Sequence, residues 1–189
     1  MKKLNELNDY IKVYKGGISN ELCDRILNEY KNCDGWEEAR IGGHIVDKSI
    51  RNVRNINISH SEIIQHNHDT RRQLDSDLYE VVAKLLANYT EIAPHTTIVN
   101  DSGYILLEYS EGCFYTQHTD HFDSNPRSIS CSLNLNDDYT GGEFTFFDDE
   151  LSYTLGKGDV IMFPSNFMYP HAIKPILTGT RYSIITWFN

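Results

Sequence analysis

The stretch YTQHTDHFD, Tyr115 to Asp123, sets two histidines and two aspartates within nine residues. His118 and Asp120 stand two apart, and on an extended strand such residues share a face. Both can then aim at one point. His171 opens a later β-like run, HAIKPI. If that run lies beside the first, two imidazoles and one carboxylate converge on a metal and leave positions open on its other side. The donor set suits Fe(II). Imidazoles are borderline ligands, the carboxylate offsets part of the charge, and the open positions take a chelating co-substrate and then O2. Taken alone, HTD can also be a polar loop whose aspartate caps a turn. His171 and a later arginine weigh against that.

Ten positions after His171 comes Arg181, in TRYSIITWFN. Alternation places Arg181, Ser183, Ile185 and Trp187 on one face and Tyr182, Ile184, Thr186 and Phe188 on the other. Both sets carry bulky apolar groups, as a strand buried on both sides requires. A guanidinium on an inward face needs an anion, because an unpaired buried charge is costly. Its planar fork matches a carboxylate, and the Ser183 hydroxyl beside it can donate to the same group.

The elements that must position these residues are legible as texture. YIKVY (10–14) predicts a short strand. SNELCDRILNEYKN predicts a helix capped by Ser19, with Leu22, Ile26 and Leu27 on one face. RNVRNINI (51–58) alternates as one strand. A second helix is expected over about 73–90, where Leu74, Leu78, Val81, Val82, Leu85 and Leu86 recur at helical spacing ahead of Pro94. From about residue 96 the runs TTIVN, YILLEYS, SISCSLNLN, GEFTFFD, DVIMFP, HAIKPI and RYSIITWF read as short strands between turn signals. Gly141-Gly142-Glu143 predicts a hairpin turn. Helices first and many strands later predict an α+β fold, an antiparallel barrel or jelly roll with helices packed outside.

Composition sets the class. The chain has 189 residues, 40% hydrophobic and 23% charged, with no repeat or linker, which predicts one domain. A net charge of −10 repels phosphates and argues against nucleic acid as a partner. No apolar run follows the lysines of the N-terminus, and none approaches the roughly 18 residues that span a bilayer. Cys23, Cys33, Cys113 and Cys131 form no CxxC pair, so free thiols in a reduced, cytoplasmic setting are expected.

The motifs HTD, LNDDYTGGEFTFF (135–147), GKGDVIMFPSNFMYPHAI (156–173) and GTRYSIITWF (179–188) together resemble the Fe(II)/2-oxoglutarate-dependent dioxygenases, in the prolyl 4-hydroxylase-like branch. The resemblance covers roughly residues 100–189. It implies a double-stranded β-helix core over about 96–189, supported by a helix-containing segment over about 1–95. It implies that His118, Asp120 and His171 ligate Fe(II) and that Arg181 binds the far carboxylate of the 2-oxoglutarate co-substrate. Tyr109, in YSEGCFYTQHTD, matches a tyrosine that often bonds the co-substrate, and Trp187 an aromatic that often lines the pocket. Some members carry a second co-substrate tyrosine after HxD; here that place holds Asn134, a candidate contact. The implied activity is hydroxylation of a C–H bond, most simply on a prolyl residue of a peptide, with succinate and CO2 released and ascorbate as a supporting reductant. The alternative is a free amino acid or small molecule.

Tyr115, Phe114, Trp187 and Tyr109 are candidates to line an apolar pocket, although Tyr109 fits equally, and Trp187 somewhat better, as a core aromatic. His121 and Asp123 read as solvated loop residues or as partners of the ligands. WEEARIGGHIVDKSIRN (36–52) is either a lid hinged at Gly42-Gly43 or an ordinary hairpin tip. HNHDTRR (66–72) reads as a polar loop ahead of a helix rather than a second metal site. Asp148, Asp149 and Glu150 read as a solvated loop.

Overall fold

A computed structural model describes residues 6–42, 45–59, 68–98, 100–124 and 126–189, with His68 described by its backbone alone. After a 3-10 turn, Leu7–Tyr10, the first half of the chain holds β1 (Lys12–Tyr14), α1 (Asn20–Tyr30), β2 (Glu37–Glu38), β3 (Arg51–Asn52), β4 (Arg54–Asn57) and α2 (His68–Thr90). The second half is β5 (Ile105–Tyr109), β6 (Phe114–His118), β7 (Ile129–Asn134), β8 (Thr140–Gly141), β9 (Phe144–Phe146), β10 (Leu151–Tyr153), β11 (Val160–Pro164), β12 (His171–Ile173), β13 (Ile176–Thr178) and β14 (Arg181–Phe188).

The strands form a jelly roll. A larger sheet runs β1-β11-β7-β14-β5-β4-β2, a smaller one β10-β9-β12-β6-β3, and β13 pairs with β8. The strand pairings among the described residues are antiparallel, for example β14 with both β5 and β7. The helices cover the outer face of the larger sheet. Leu22, Ile26, Leu74, Leu78 and Val82 pack there on Leu106, Leu133 and Ile184. A second core, with Leu107, Phe144, Phe146, Ile161, Phe163 and Ile173, fills the space between the sheets.

Ser19 caps α1 as expected, its Oγ accepting from the Leu22 amide at 3.1 Å. Helix α2 begins earlier than its apolar repeat. In that early turn Arg71 is buried and pairs with Glu29 of α1 at 2.6 Å, a tertiary contact that local periodicity cannot report. RNVRNINI does not make one strand. Arg51–Asn52 pairs with β6 in the smaller sheet, and Arg54–Asn57 pairs with β5 in the larger one. Buried Val53 lies at the crossing. The chain thus changes sheets in mid-run, which strand alternation does not disclose.

TTIVN is no strand among the described residues. Asn100 instead exchanges backbone hydrogen bonds with Asn189 at 3.1 Å. Gly141-Gly142 is not a hairpin tip either. Gly141 belongs to β8 and faces β13, and a Cβ there would stand 2.4 Å from the Pro175 carbonyl oxygen. The glycine serves close backbone approach, at a φ of 76°. The four cysteines are free. No helix among the described residues is long and apolar enough to cross a membrane.

Candidate active site

A cavity of about 490 Å³ opens between the two sheets, within the size range of small-molecule sites. One wall belongs to β6 and β12, the other to β5, β7 and β14. Residues of the 36–52 segment, among them Glu37, Glu38, Arg40 and Gly42, stand at its edge. That segment carries an antiparallel bridge between Ile41 and Ile45, while Gly43 and His44 lie outside the described residues.

On the first wall His118, Asp120 and His171 each present one donor atom, all within 4.8 Å of one another. His171 sits directly across from His118 in the β12–β6 register. The pairing shifts between His171 and Ile173, so that Tyr115 and His118, three apart, stack at 3.5 Å between centroids. Asp120 lies beyond the end of β6. Its place comes from its amide, which donates to the Ser165 carbonyl at 3.2 Å, rather than from strand parity. His118 Nε2 is 3.5 Å from Asp120 Oδ1, and His171 Nε2 is 3.5 Å from Asp120 Oδ2.

Both imidazoles are oriented by backbone. His118 Nδ1 meets the Thr116 carbonyl at 2.8 Å, and His171 Nδ1 meets the Tyr169 carbonyl at 3.1 Å. An Nδ1–H donated to a carbonyl leaves Nε2 with its lone pair for a metal. The ring of His171 lies among Phe144, Phe146 and Phe163, with the Phe163 centroid at 4.7 Å. Burial, and then the His118 charge, push His171 down to about 4, with Asp120 opposing. It is therefore neutral near pH 7. Burial alone would raise the Asp120 carboxyl. The neighbouring His171 and His118 and the Ser130 hydroxyl, which donates at 2.7 Å, more than offset it and hold the group well below the usual carboxylate range. Two imidazoles, that of His171 neutral, and an ionised carboxylate fit a divalent cation such as Fe(II).

The opposite wall is built for an anion. Arg181 and Ser183 are each 1% exposed. Arg181 Nη2 and Ser183 Oγ are buried and have no hydrogen-bond partner within the protein. Two donors left open side by side, one of them charged, fit a carboxylate. Tyr109 is buried below them, with the Arg181 guanidinium 5.4 Å from its ring centre. Trp187 and Tyr115 also line the cavity.

Two sequence candidates, Asn134 and Phe114, take other places. Asn134 does not face the open space. Its Oδ1 accepts from Arg181 Nε at 3.1 Å and from the Tyr139 hydroxyl at 3.2 Å, and its Nδ2 donates to backbone carbonyls. Phe114 is not among the residues that line the cavity. Exposed His121 closes its own loop, Nδ1 meeting the Arg127 carbonyl at 3.0 Å. Asp149 is solvated and pairs with Lys174 at 2.7 Å. Of HNHDTRR, His66 and Asn67 lie outside the described residues, and from His68 the chain is helical.

Sequence reasoning passed over Ser130, Ser165, Arg127 and Tyr139. Ser130 Oγ links Asp120 to Ser165 Oγ, 2.8 Å away. Arg127 lies 3.5 Å over the Trp187 ring and donates to the Asp120 carbonyl at 3.2 Å. Only the inward alternation of Ser130, Ser132 and Asn134 along β7 could have signalled the first of these.

Comparisons with known proteins agree with this geometry. Residues 104–189 match the model of the 2OG-Fe(II) oxygenase superfamily. A PKHD-type hydroxylase from Idiomarina loihiensis is 35% identical over 85 residues, 42% of this chain and 38% of that protein. The match thus spans well under two thirds of the relative's own length. A prolyl hydroxylase from Trichoplax adhaerens, solved with a hypoxia inducible factor peptide fragment, superposes with a TM-score of 0.78 at 16% identity, covering 94% of this chain and 82% of that one. A prolyl 4-hydroxylase from Pseudomonas putida superposes with a TM-score of 0.73 at 19% identity, covering 95% and 92%. At such identities the likeness is one of fold.

Proposed function

We propose, on the match of residues 104–189 to the model of the 2OG-Fe(II) oxygenase superfamily, that this protein is an Fe(II)- and 2-oxoglutarate-dependent dioxygenase that hydroxylates a prolyl residue of a peptide. One observation carries the reading. The histidine–aspartate–histidine trio and the two open donors of Arg181 and Ser183 face a single cavity from opposite sheets. A 2-oxo diacid has a chelating end and a carboxylate end, and those walls offer one partner for each. When bound, Fe(II) with 2-oxoglutarate and O2 supplies the oxidising chemistry that converts C–H to C–OH with release of succinate and CO2.

The chain's own residues do the rest. His118, Asp120 and His171 would hold the metal. The backbone carbonyls of Thr116 and Tyr169 keep both Nε2 atoms aimed inward. Ser130 keeps one aspartate oxygen oriented. Arg181 and Ser183 receive the far carboxylate, and the surrounding aromatics exclude water, which strengthens that contact. Tyr115 and Trp187 offer the flat apolar surfaces that a pyrrolidine ring packs against. The 36–52 segment at the cavity edge suits an extended peptide, and a proline-rich segment is already stiff and loses little entropy on docking. The Trichoplax adhaerens structure, with its bound peptide, supports a peptide over a free metabolite.

The test is incubation with Fe(II), ascorbate, 2-oxoglutarate and a panel of proline-containing peptides and free amino acids. A gain of one oxygen localised to proline by fragmentation is expected. Succinate released only with a free amino acid would reassign the substrate, and no 2-oxoglutarate turnover with any of them would count against the activity.

A further inference from the structure

We propose that Asn134 and Tyr139 are positioning residues that lock Arg181 in place, so that the site selects a 2-oxo diacid of one chain length. The inference rests on the co-substrate assignment above and concerns how that selectivity is built.

Arg181 begins β14 and carries a long side chain into a cavity. Left alone, such a chain would sample many rotamers and meet a carboxylate over a range of positions. Here its Nε is anchored by Asn134 Oδ1 at 3.1 Å. Asn134 is fully buried on β7, directly across from Ser183. Its amide has one satisfiable orientation. Nδ2 faces three backbone carbonyls, those of Asn136, Leu155 and Gly156, at 2.7, 3.1 and 3.3 Å. A flipped amide would set oxygen against oxygen, so Oδ1 must face Arg181. The Tyr139 hydroxyl donates to that same Oδ1 at 3.2 Å. Gly142 completes the fit. A Cβ there would come within 3.3 Å of both Arg181 Cδ and Tyr139 Cε2.

The anchor holds Nε and leaves Nη2 open. The amide also suits the task chemically. It accepts a hydrogen bond without cancelling the charge of Arg181, whereas an aspartate there would form a permanent ion pair and compete with the incoming carboxylate. With every polar atom of Asn134 engaged, none is left to touch the co-substrate. The residue acts through Arg181. The metal ligands stand on the other sheet, so a fixed guanidinium sets one span between the two ends of the ligand.

The experiment is calorimetric titration of the Mn(II)-loaded protein with 2-oxoglutarate, with oxaloacetate, one methylene shorter, and with 2-oxoadipate, one longer. Wild type, Tyr139→Phe and Asn134→Asp are compared, with Mn(II) affinity and thermal midpoint measured for each. Asn134→Asp should weaken 2-oxoglutarate roughly tenfold or more, and Tyr139→Phe a few-fold. Both should narrow the preference for 2-oxoglutarate over 2-oxoadipate, with Mn(II) affinity kept. In turnover, KM for 2-oxoglutarate should rise while kcat at saturation is largely retained. A merely structural role would not relax length selectivity. If Asn134→Asp does not fold, Tyr139→Phe, which removes a single hydroxyl, carries the test. Folded variants with unchanged affinity and length preference overturn the proposal. A wild-type protein that binds none of the three acids overturns the co-substrate assignment itself.

Discussion

The two faces of β14 are built on opposite principles. Toward the helices it presents Tyr182, Ile184 and Phe188, packed into the outer core, and the Tyr182 hydroxyl is bonded to Glu108 at 3.1 Å. Toward the cavity it presents Arg181 and Ser183, with polar atoms that no protein group satisfies. One face contributes stability, and the other holds polar groups in reserve for a ligand. Eight residues serve both because strand side chains alternate. Thr186 Oγ1 on the helix side is also without a partner, but the cavity face sets an unpartnered guanidinium donor beside a hydroxyl, the pairing that a carboxylate takes.

The largest expected effect lies across the cavity from β14. His171→Ala removes one of three donors and should abolish metal-dependent turnover and lower the bound metal measured by elemental analysis, with the fold retained by circular dichroism. Wild-type metal stoichiometry and activity in that variant would falsify the ligand assignment.

Next comes the helix side. Ile184 is fully buried, and Ile184→Ala should cost about 2–5 kcal/mol in urea unfolding. The affinity of the surviving folded protein for 2-oxoglutarate should be unchanged. A large loss of affinity without a loss of stability would break the division between the two faces.

On the cavity face the effects should invert. Arg181→Ala should raise the KM for 2-oxoglutarate by roughly tenfold or more, Arg181→Lys by less, and Ser183→Ala only a few-fold. The thermal midpoint should barely fall in Arg181→Ala, since an unpaired buried charge leaves with the side chain. A drop in stability as large as that of Ile184→Ala would mean that Arg181 is there for the fold.

The smallest effect concerns the buried carboxylate of Asp159, just before β11. Burial alone would raise it. Lys15 Nζ at 2.6 Å and the amides of Gly156 and Gly16 at 2.8 and 3.1 Å hold it below its ordinary value. Lys15 is mostly exposed, so solvent screens its share. A carboxyl depressed in the folded state contributes stability above its unfolded pKa, about 3.9, and loses it as pH falls through the folded value. Wild type should thus lose about 1 kcal/mol more than Asp159→Asn on acidification below about pH 4. Parallel urea midpoints for the two proteins across that range would remove Asp159 from the acid response.

Much of the site was open to sequence reasoning because its chemistry is carried by rare residue types at short or strand-like spacing. HTD, a histidine opening a β run and an inward arginine need only parity and the cost of a buried charge to be picked out. The helices were legible through apolar repeats. The early turn of α2 was not, because it depends on Arg71 meeting Glu29. The division of residues 51–57 between two sheets was hidden for a like reason, since the partner strands lie far along the chain.

Residue types and spacing alone make the groups available: three side chains able to ligate a metal, one inward cation that must find a partner, and a strand with two apolar faces. These follow from side-chain chemistry and from the period of the backbone. How they meet comes from long-range packing. It set His171 across from His118, hung Asp120 on a carbonyl beyond the strand end, and turned Asn134 from a presumed ligand contact into the anchor of Arg181. Those outcomes depend on sheet register and on which buried donors and acceptors are already spent. Neither is a property of any local stretch of chain.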